Sequence, residues 1–442
     1  MNHRRTPSRS TLRTARLAFL ALVSLTLAAC ASSSPTTSPD ASPLASAVTS
    51  AGPTAAPTAS ATPAASVDPA AVYDAIERQV EAIRGLTPSK PVERQIIDEE
   101  ELRTILTKMY DEGTPPAYLA GQERLYKALG LMPQDGSVRD LTLDLLSGSV
   151  AGFYRDDQGK LSIVSSTGRI GGVEKIIFAH EYGHALQDQA WPVFKDQRGV
   201  IDEGDRLMAR AAVFEGDATL LMAQWMLGNS TPQDLQDVIK AAMDPAQADP
   251  LARVRAIMKE TLLFPYQTGL AFVQAVQAKG GWAAVDKLYE RMPESTEQII
   301  HPEKYTAGET PVKVDMPADL ATRLGAGWSV PMQDTFGEMQ TAVWLREGGV
   351  ETAAANDAAA GWGGDRLAVI EGPDDAWALA WQTVWDTPTD AAAFEAAATT
   401  ALAKAGGTAQ VLPGVGGTTR WVLVASDAPT MNRVANALDL AG

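Results

Sequence analysis

Two histidines four residues apart, with a glutamate beside the first, are the residues of this chain best suited to chemistry. They stand in the run His180-Glu181-Tyr182-Gly183-His184. On an α-helix, residues four apart lie one turn from each other on the same face, so both imidazoles can reach a single metal ion. Imidazole nitrogen is a preferred ligand of zinc. The spacing therefore predicts a zinc site, with the Glu181 carboxylate next to it.

The flanking residues predict that the histidines lie on the buried face of one helix. Apolar residues and histidines follow the series i, i+3, i+4, i+7, i+11 of an inward-facing stripe. These positions are Val173, Ile176, Ile177, His180 and His184. Only four histidines occur in the chain, so two of them at this spacing are a specific signal. The alternative is a core helix with two hydrogen-bonded histidines.

A second helix is predicted at about residues 203–227, and it carries a glutamate on its apolar stripe. Glu215 falls between the stripe residues Ala211 and Ala218. A carboxylate on an inward face needs a partner, because burying it alone is costly. A metal ion would supply that partner.

The N-terminus has the composition of an export signal. Residues 1–29 contain five arginines and no acidic residue, and they end in an apolar run that is short for a membrane span. Leu27-Ala28-Ala29-Cys30 resembles the lipobox of bacterial lipoproteins, which implies cleavage before Cys30 and lipidation of that residue. Cys30 is the only cysteine, so it cannot form an internal disulfide. The alternative is an ordinary signal peptide with an incidental cysteine.

The segment after the signal predicts a tether, and the charge of the chain limits its partners. Residues 30–68 are almost entirely Ala, Ser, Thr and Pro, a composition that cannot bury enough apolar surface to fold. The formal net charge is −17, so we expect no nucleic-acid partner and no attraction to anionic lipid. We therefore expect an exported, extracytoplasmic protein, attached to a bacterial membrane only through lipidated Cys30. The sequence predicts no oligomeric state.

The remaining chain predicts an α+β fold in two domains. With 442 residues and 45% apolar content, the chain can bury two cores. The first domain, residues 69–310, is expected to be mainly helical, with a β-hairpin formed by residues 151–155 and 160–164. The second, residues 311–442, is expected to be a smaller α+β accessory domain, because strand-like runs alternate with helical ones there.

Local patterns in the C-terminal part give further predictions. Strands are predicted at residues 366–371, 377–385 and 419–425, and helices at 391–404 and 431–440. Residues 361–365 read as a tight turn because of their glycines. Trp377, Trp381 and Trp385 share one face, which indicates core packing or, less simply, an aromatic platform for a ligand.

His180, Glu181 and His184, with a glutamate on a downstream helix, resemble a zinc metallopeptidase of the gluzincin type, the group that includes thermolysin. The resemblance covers residues 173–225. It implies a zincin-like catalytic domain in which His180, His184 and Glu215 bind Zn²⁺ and leave the fourth position to water. It also implies that Glu181 is the general base in hydrolysis of a peptide or protein substrate. In zincins a strand before the metal helix presents its edge to the substrate, so one strand of the hairpin is the candidate edge.

The chain departs from this family near the third ligand. Thermolysin-like enzymes carry Asn before the ligand Glu and Asp four residues after it, whereas here Phe214 precedes Glu215 and Asp217 follows by two residues. Other candidates for the third ligand are Glu203, Asp205 and Asp217. Asp188, one turn beyond His184, either orients a ligand or is a solvated acid. Ala190 excludes the metzincin pattern, which needs histidine there.

The resemblance also implies a donor for the oxyanion of the tetrahedral intermediate. Gluzincins commonly use a Tyr or His that follows the ligands in sequence. His301 and Tyr266 are the catalytic candidates, and Tyr305 is a further one. For each residue, packing or loop anchoring is the competing explanation.

Two functions follow from these patterns. The first is a lipid-anchored zinc endopeptidase. The alternative is a non-catalytic surface lipoprotein with a zincin-like fold that acts as a binding or envelope-assembly module. Glu181 favours catalysis, because a structural zinc site has no use for an unligated carboxylate beside the metal.

Overall fold

The computed structural model describes residues 68–165, 168–191, 200–243 and 254–440. The predicted signal, the lipidated Cys30 and all but the last residue of the predicted tether lie outside these ranges. They stay predictions. Within the described ranges, no helix combines the length and the apolar character needed to cross a membrane.

Helices form most of the described chain before residue 310. The first seven are α1 (Pro69–Arg84), α2 (Glu99–Gly113), α3 (Pro116–Ala128), α4 (Val138–Ser149), α5 (Gly172–Ala190), α6 (Gly204–Asn229) and α7 (Pro232–Ala242). The next four are α8 (Ala256–Gly280), α9 (Trp282–Glu290), α10 (Thr296–Ile300) and α11 (Pro302–Ala307). Two sheets accompany them, and the predicted α+β class is confirmed.

A three-stranded sheet lies against the N-terminal half of α5. Its strands are β1 (Glu93–Ile97), β2 (Gly152–Arg155) and β3 (Lys160–Val164), in the order β1-β3-β2. β2 and β3 pair antiparallel, so the predicted hairpin is present, and its turn contains Gly159 at a φ of 63°. β1 pairs parallel with β3 and was not predicted. The order leaves β2 at one edge of the sheet.

A five-stranded antiparallel sheet forms the centre of the C-terminal part. The strands are β4 (Ser329–Asp334), β5 (Trp362–Glu371), β6 (Trp377–Trp385), β7 (Thr408–Pro413) and β8 (Thr419–Ala425), in the order β4-β5-β6-β8-β7. The helices around it are α12 (Leu320–Leu324), α13 (Gly337–Glu347), α14 (Thr352–Ala359), α15 (Pro388–Ala401) and α16 (Ala428–Ala437). Trp381 and Trp385 are buried, so these two tryptophans pack in the core.

The predicted turn at residues 361–365 is wrong, because most of this run belongs to strand β5. The register of β5 against β6 shifts between Trp362 and Gly364. A Cβ at Gly364 would lie 2.3 Å from the Val312 carbonyl oxygen. The Val312 N–H donates to the Gly363 carbonyl over 2.7 Å. The glycines therefore admit a neighbouring segment against the strand.

One buried cluster continues across the predicted domain boundary at residue 310. It contains Phe214 and Phe272 from α6 and α8 together with Trp344 and Trp381 from the C-terminal part. A second cluster, which includes Leu320, Leu423 and Val434, lies entirely after residue 310. The C-terminal sheet thus shares one core with the helical part and has another of its own. The division into two domains stays a prediction.

Candidate metal centre

The two predicted metal-binding helices pack side by side and present their polar residues to each other. α5 carries His180, Glu181 and His184, and α6 carries Glu215. Their close approach depends on Gly183, since a Cβ there would lie 3.1 Å from Leu221 Cδ2 on α6. On its other side α6 crosses α8 at two glycines, where a Cβ at Gly216 would lie 2.4 Å from the Gly269 carbonyl oxygen. Gly183 and Gly216 therefore allow α5 and α8 to pack closely against α6, where Glu215 is buried.

His180, His184 and Glu215 converge on one point. His180 Nε2 lies 3.1 Å from His184 Nε2, and each of these nitrogens lies 3.2 Å from Glu215 Oε2. The exposed fractions of His180, His184 and Glu215 are 0%, 5% and 0%. The three atoms form a nearly equilateral, buried triangle of potential ligands.

Hydrogen bonds alone do not explain this triangle. If both imidazoles donate from Nε2 to the carboxylate, neither nitrogen can accept from the other, so the contact between the two nitrogens has no hydrogen in it. A cation shared by all three atoms satisfies every contact. Bonds of about 2.0–2.1 Å to tetrahedral zinc place ligand atoms about 3.3 Å apart, close to the separations found here. Glu215 Oε1 is also buried, and it has no hydrogen-bond partner among the described residues. The three residues fit a divalent metal ion.

A second group of acidic residues with metal-like spacing already has a cation. Glu297, Glu309 and Asp386 place carboxylate oxygens close together. The ammonium group of Lys304 lies 2.6, 2.8 and 2.7 Å from these three carboxylates. A lysine therefore neutralises this group, and it needs no metal ion.

Burial and mutual charge set the protonation of His180, His184 and Glu215. Burial raises the pKa of Glu215, but the charge of His184 and hydrogen bonds from both histidines outweigh it and lower this pKa to about 2. Burial alone would lower the pKa of His184, whereas the charge of Glu215 raises it to about 9. The pKa of His180 is lowered, mainly by burial. The cluster thus combines the Glu215 carboxylate with a positively charged His184. A bound metal cation would take the place of this positive charge.

Glu181 lies beside the triangle without joining it. It is fully buried, and burial raises its pKa to about 8. Within the described chain, neither of its oxygens has a side-chain hydrogen-bond partner. An unligated carboxylate with a raised pKa is suited to accept a proton near neutral pH.

Edge strand β2 runs directly past Glu181. A Cβ at Gly152 would lie 3.3 Å from Glu181 Cγ and 2.5 Å from Ile177 Cγ2. The backbone N–H of Tyr154, on the same strand, lowers the pKa of Glu181 against the larger effect of burial. The structure therefore places β2, an edge strand of the described sheet, beside the candidate base.

Gln187 is a further residue of the site, and it was not predicted from the sequence. Its Oε1 lies 2.9 Å from His184 Nδ1, and its Nε2 donates to the Phe214 carbonyl over 3.1 Å. Phe214 directly precedes Glu215, so Gln187 links the two ligand-bearing helices. The available signal was its position three residues after His184, which places it one turn further along the same helix.

The alternative third ligands bind other partners. Asp217 accepts from Arg84 and Tyr289, and Asp205 accepts from Thr296. Glu203 pairs with Arg206. Asp188 accepts a hydrogen bond from Tyr154 over 3.0 Å, so it holds the edge strand against α5.

Of the predicted oxyanion donors, Tyr266 lies nearest to the group of His180, His184 and Glu215. Its ring is buried and stacks on the His180 imidazole, with 6.2 Å between centroids. His301 Nε2 instead lies 2.9 Å from the buried Glu338. Tyr305 donates to the Arg291 carbonyl over 2.7 Å. Among the described residues, no hydrogen bond or ring contact joins His301 or Tyr305 to the cluster.

Parts of the chain are similar to known proteins. Residues 323–437 match a family model described as a domain of unknown function (DUF8575). No curated protein matches the chain. A solved structure from Chloroflexus aurantiacus, described as "a putative hydrolase with a novel fold", is similar at 20% identity and a TM-score of 0.36. That similarity covers 54% of this chain and 88% of the other.

Proposed function

We propose that this protein is a zinc metallopeptidase, anchored outside the cytoplasm by a lipid on Cys30. The observation that carries the proposal is the buried triangle of His180 Nε2, His184 Nε2 and Glu215 Oε2, with sides of 3.1–3.2 Å. Within the described ranges, this group of potential metal ligands contains only these three residues. Three protein ligands leave a coordination position for a reactant, as in catalytic zinc sites.

The proposed roles divide between the ion and the chain. A zinc ion supplies a Lewis acid that polarises a carbonyl oxygen and makes water a better nucleophile. Glu181 accepts the proton of the attacking water and returns it to the leaving amine. Its burial supports this role, because a dry carboxylate is a stronger base than a solvated one.

The substrate is proposed to be an extended peptide that adds to the edge of β2. A peptide there would gain backbone hydrogen bonds without regard to its sequence. It would also pass Glu181, next to which Gly152 lies. This arrangement favours an endopeptidase.

One observation favours the non-catalytic alternative. His180, Glu181 and Glu215 have exposed fractions of 0%, and closed metal sites are usually structural. On that hypothesis the protein is a surface lipoprotein that uses a metal-stabilised fold to bind a partner. Activity measurements distinguish the two functions.

The decisive experiment compares metal content and peptidase activity of the wild type, Glu181→Gln and the control Glu112→Gln. Glu112 is an exposed residue of α2. The proposal predicts stoichiometric zinc in all three proteins and cleavage of a peptide library by the wild type and the control only. Zinc in all three with no cleavage by any would support the structural alternative.

The proposed anchor has its own test. Cys30→Ala should abolish incorporation of radiolabelled palmitate and release the protein from the membrane fraction. Retention of both label and membrane attachment in the variant would contradict lipidation at Cys30.

A further inference from the structure

A buried arginine joins the N-terminal helix to the helix that carries Glu215. Arg84 is the last residue of α1, and only 2% of it is exposed. Its Nε and Nη2 donate to the two oxygens of Asp217, each over 3.0 Å. Its Nη1 pairs with Asp286 Oδ1 at 2.7 Å. The guanidinium is therefore held as a bidentate fork, which fixes orientation as well as distance.

Two tryptophans enclose the same guanidinium. Arg84 Cζ lies 4.5 Å from the centre of the Trp282 ring and 5.5 Å from that of Trp191. Trp191 directly follows the last residue of α5, the helix that carries both histidines. Arg84 thus contacts the end of one ligand-bearing helix and, through Asp217, the middle of the other.

Tyr289 extends these contacts towards His184. Its hydroxyl donates to Asp217 Oδ2 over 2.7 Å, and its ring stacks on Trp191 at 4.0 Å between centroids. The same ring lies 5.9 Å from that of Phe214, whose carbonyl accepts from Gln187. Packed side chains and hydrogen bonds therefore connect Arg84 to His184 without a gap.

We propose that Arg84 and Asp217 are positioning residues that hold α5 and α6 at the separation and rotation needed for metal binding. Two residues along an α-helix turn by about 200°, so Asp217 lies on the side of α6 opposite Glu215. Arg84 therefore binds the face of α6 that points away from the histidines, while Glu215 lies on the face that points towards them. This inference rests on the proposed metal binding of His180, His184 and Glu215, and it does not require that the protein cleave peptides.

A purely stabilising role is the weaker explanation. Replacing a buried ion pair by apolar residues of similar size is often neutral or stabilising, so burial of this pair is little evidence for stability. The directional fork and the aromatic enclosure instead restrict how the two helices can shift. Residues that orient ligands indirectly typically change metal affinity by about 10- to 100-fold when replaced.

The test separates geometry from stability with an apolar triple variant, Arg84→Met/Asp217→Leu/Tyr289→Phe. It removes the charges together with the hydroxyl that would otherwise be buried without a partner. Arg84→Lys, which keeps the charge but loses the fork, is the second variant. Arg94→Met is the control, because Arg94 likewise pairs with two carboxylates, those of Asp74 and Glu77. Among the described residues, no hydrogen bond or ion pair joins Arg94 to α5 or α6.

Three quantities are measured on the full chain: the zinc Kd by chelator competition, the visible spectrum of the cobalt-substituted protein, and the midpoint of urea unfolding. We expect zinc affinity to fall about 10- to 100-fold and the cobalt spectrum to shift in Arg84→Lys and in the triple variant. The control should match the wild type in Kd and spectrum.

The outcomes are distinguishable from failure of the proposed peptidase. A wild-type Kd and cobalt spectrum in Arg84→Lys, or in the triple variant if it folds, would overturn the positioning role whether or not the protein cleaves peptides. A triple variant with wild-type unfolding midpoint but altered Kd and spectrum would support it most strongly. Absence of peptidase activity from a zinc-loaded wild type would count against the proposed function only.

Discussion

Gln187 Oε1 lies 2.9 Å from His184 Nδ1, the ring nitrogen that does not face Glu215. The amide nitrogen of the same side chain donates to the Phe214 carbonyl, so the amide oxygen is the atom that faces the imidazole. An amide oxygen only accepts, and His184 Nδ1 must therefore carry the hydrogen. Nε2 is then left to bind a cation. Such contacts behind a ligand set both its tautomer and its orientation.

Replacing Gln187 should weaken metal binding without removing a ligand. We expect Gln187→Leu to raise the zinc Kd by about 10- to 100-fold, because His184 loses the acceptor that orients it. Gln189→Leu is the control, since Gln189 lies on the same helix but binds Ser89 and Lys90. Competition with a zinc chelator measures both constants. Equal constants for Gln187→Leu and the wild type would show that Gln187 has no orienting role.

Gly152 should be required for activity, because it lies beside the proposed general base, Glu181. In Gly152→Ala the new Cβ would lie 2.5 Å from Ile177 Cγ2, so strand β2 or helix α5 must move and Glu181 moves with it. Overpacking of this kind typically costs about 1–3 kcal/mol of stability. We expect peptidase activity to fall while zinc content stays stoichiometric. Gly228→Ala is the control, because nothing lies within 4 Å of its new Cβ. Unchanged kcat/KM in Gly152→Ala would contradict this arrangement.

Tyr266 and His301 should differ in their effect on catalysis. The Tyr266 ring stacks on His180, whereas His301 is bound to Glu338. If Tyr266 donates to the oxyanion, Tyr266→Phe should lower kcat by about 10²- to 10³-fold with little change in KM. His301→Ala should keep most of the activity. The reverse result, with the larger loss of kcat in His301→Ala, would make His301 the donor.

The pH dependence of stability should reflect buried carboxyl groups that contact the C-terminal part. Burial raises the pKa of Asp205 from 3.8 to about 8, and that of Asp365 to about 6. The folded protein then binds protons more tightly than the unfolded chain, so stability falls as pH rises from about 4 towards about 8. One such group contributes at most about 1.4 kcal/mol per pH unit within its window.

Urea unfolding at pH 6 and pH 8 measures this effect in the wild type and in Asp205→Asn. The variant cannot lose a proton, so its free energy of unfolding should fall less between the two pH values. An equal fall in both proteins would mean that Asp205 stays ionised throughout, contrary to the raised pKa.

The sequence predicted the convergence of His180, His184 and Glu215 better than it predicted their surroundings. His180 and His184 are spaced by a helical turn, and Glu215 interrupts an apolar stripe, so local periodicity alone identifies all three. The only local signal for Gln187 is its position three residues after His184, and Arg84 has none. Their roles depend on contacts with residues such as Phe214 and Asp217, which are distant in the chain. Spacing along one helix cannot specify contacts of this kind.

The same difference between local patterns and long-range contacts explains which strands could be predicted. Strands β6 and β8 were predicted with their observed bounds, because each is rich in apolar and β-branched residues. β1 was missed, since Glu93–Ile97 is short and half polar and is defined by its pairing with β3. The glycines at 361–365 were interpreted as a turn, whereas Gly364 is a site of close backbone approach. Only tertiary structure separates these two uses of glycine.

Zinc K-edge X-ray absorption on the purified full-length protein tests the central claim most directly. We expect one zinc ion per chain, bound by two imidazole nitrogens at about 2.0–2.1 Å and by oxygen. In His184→Ala we expect one imidazole fewer. A protein that binds no zinc, or a spectrum without imidazole scattering, would contradict it.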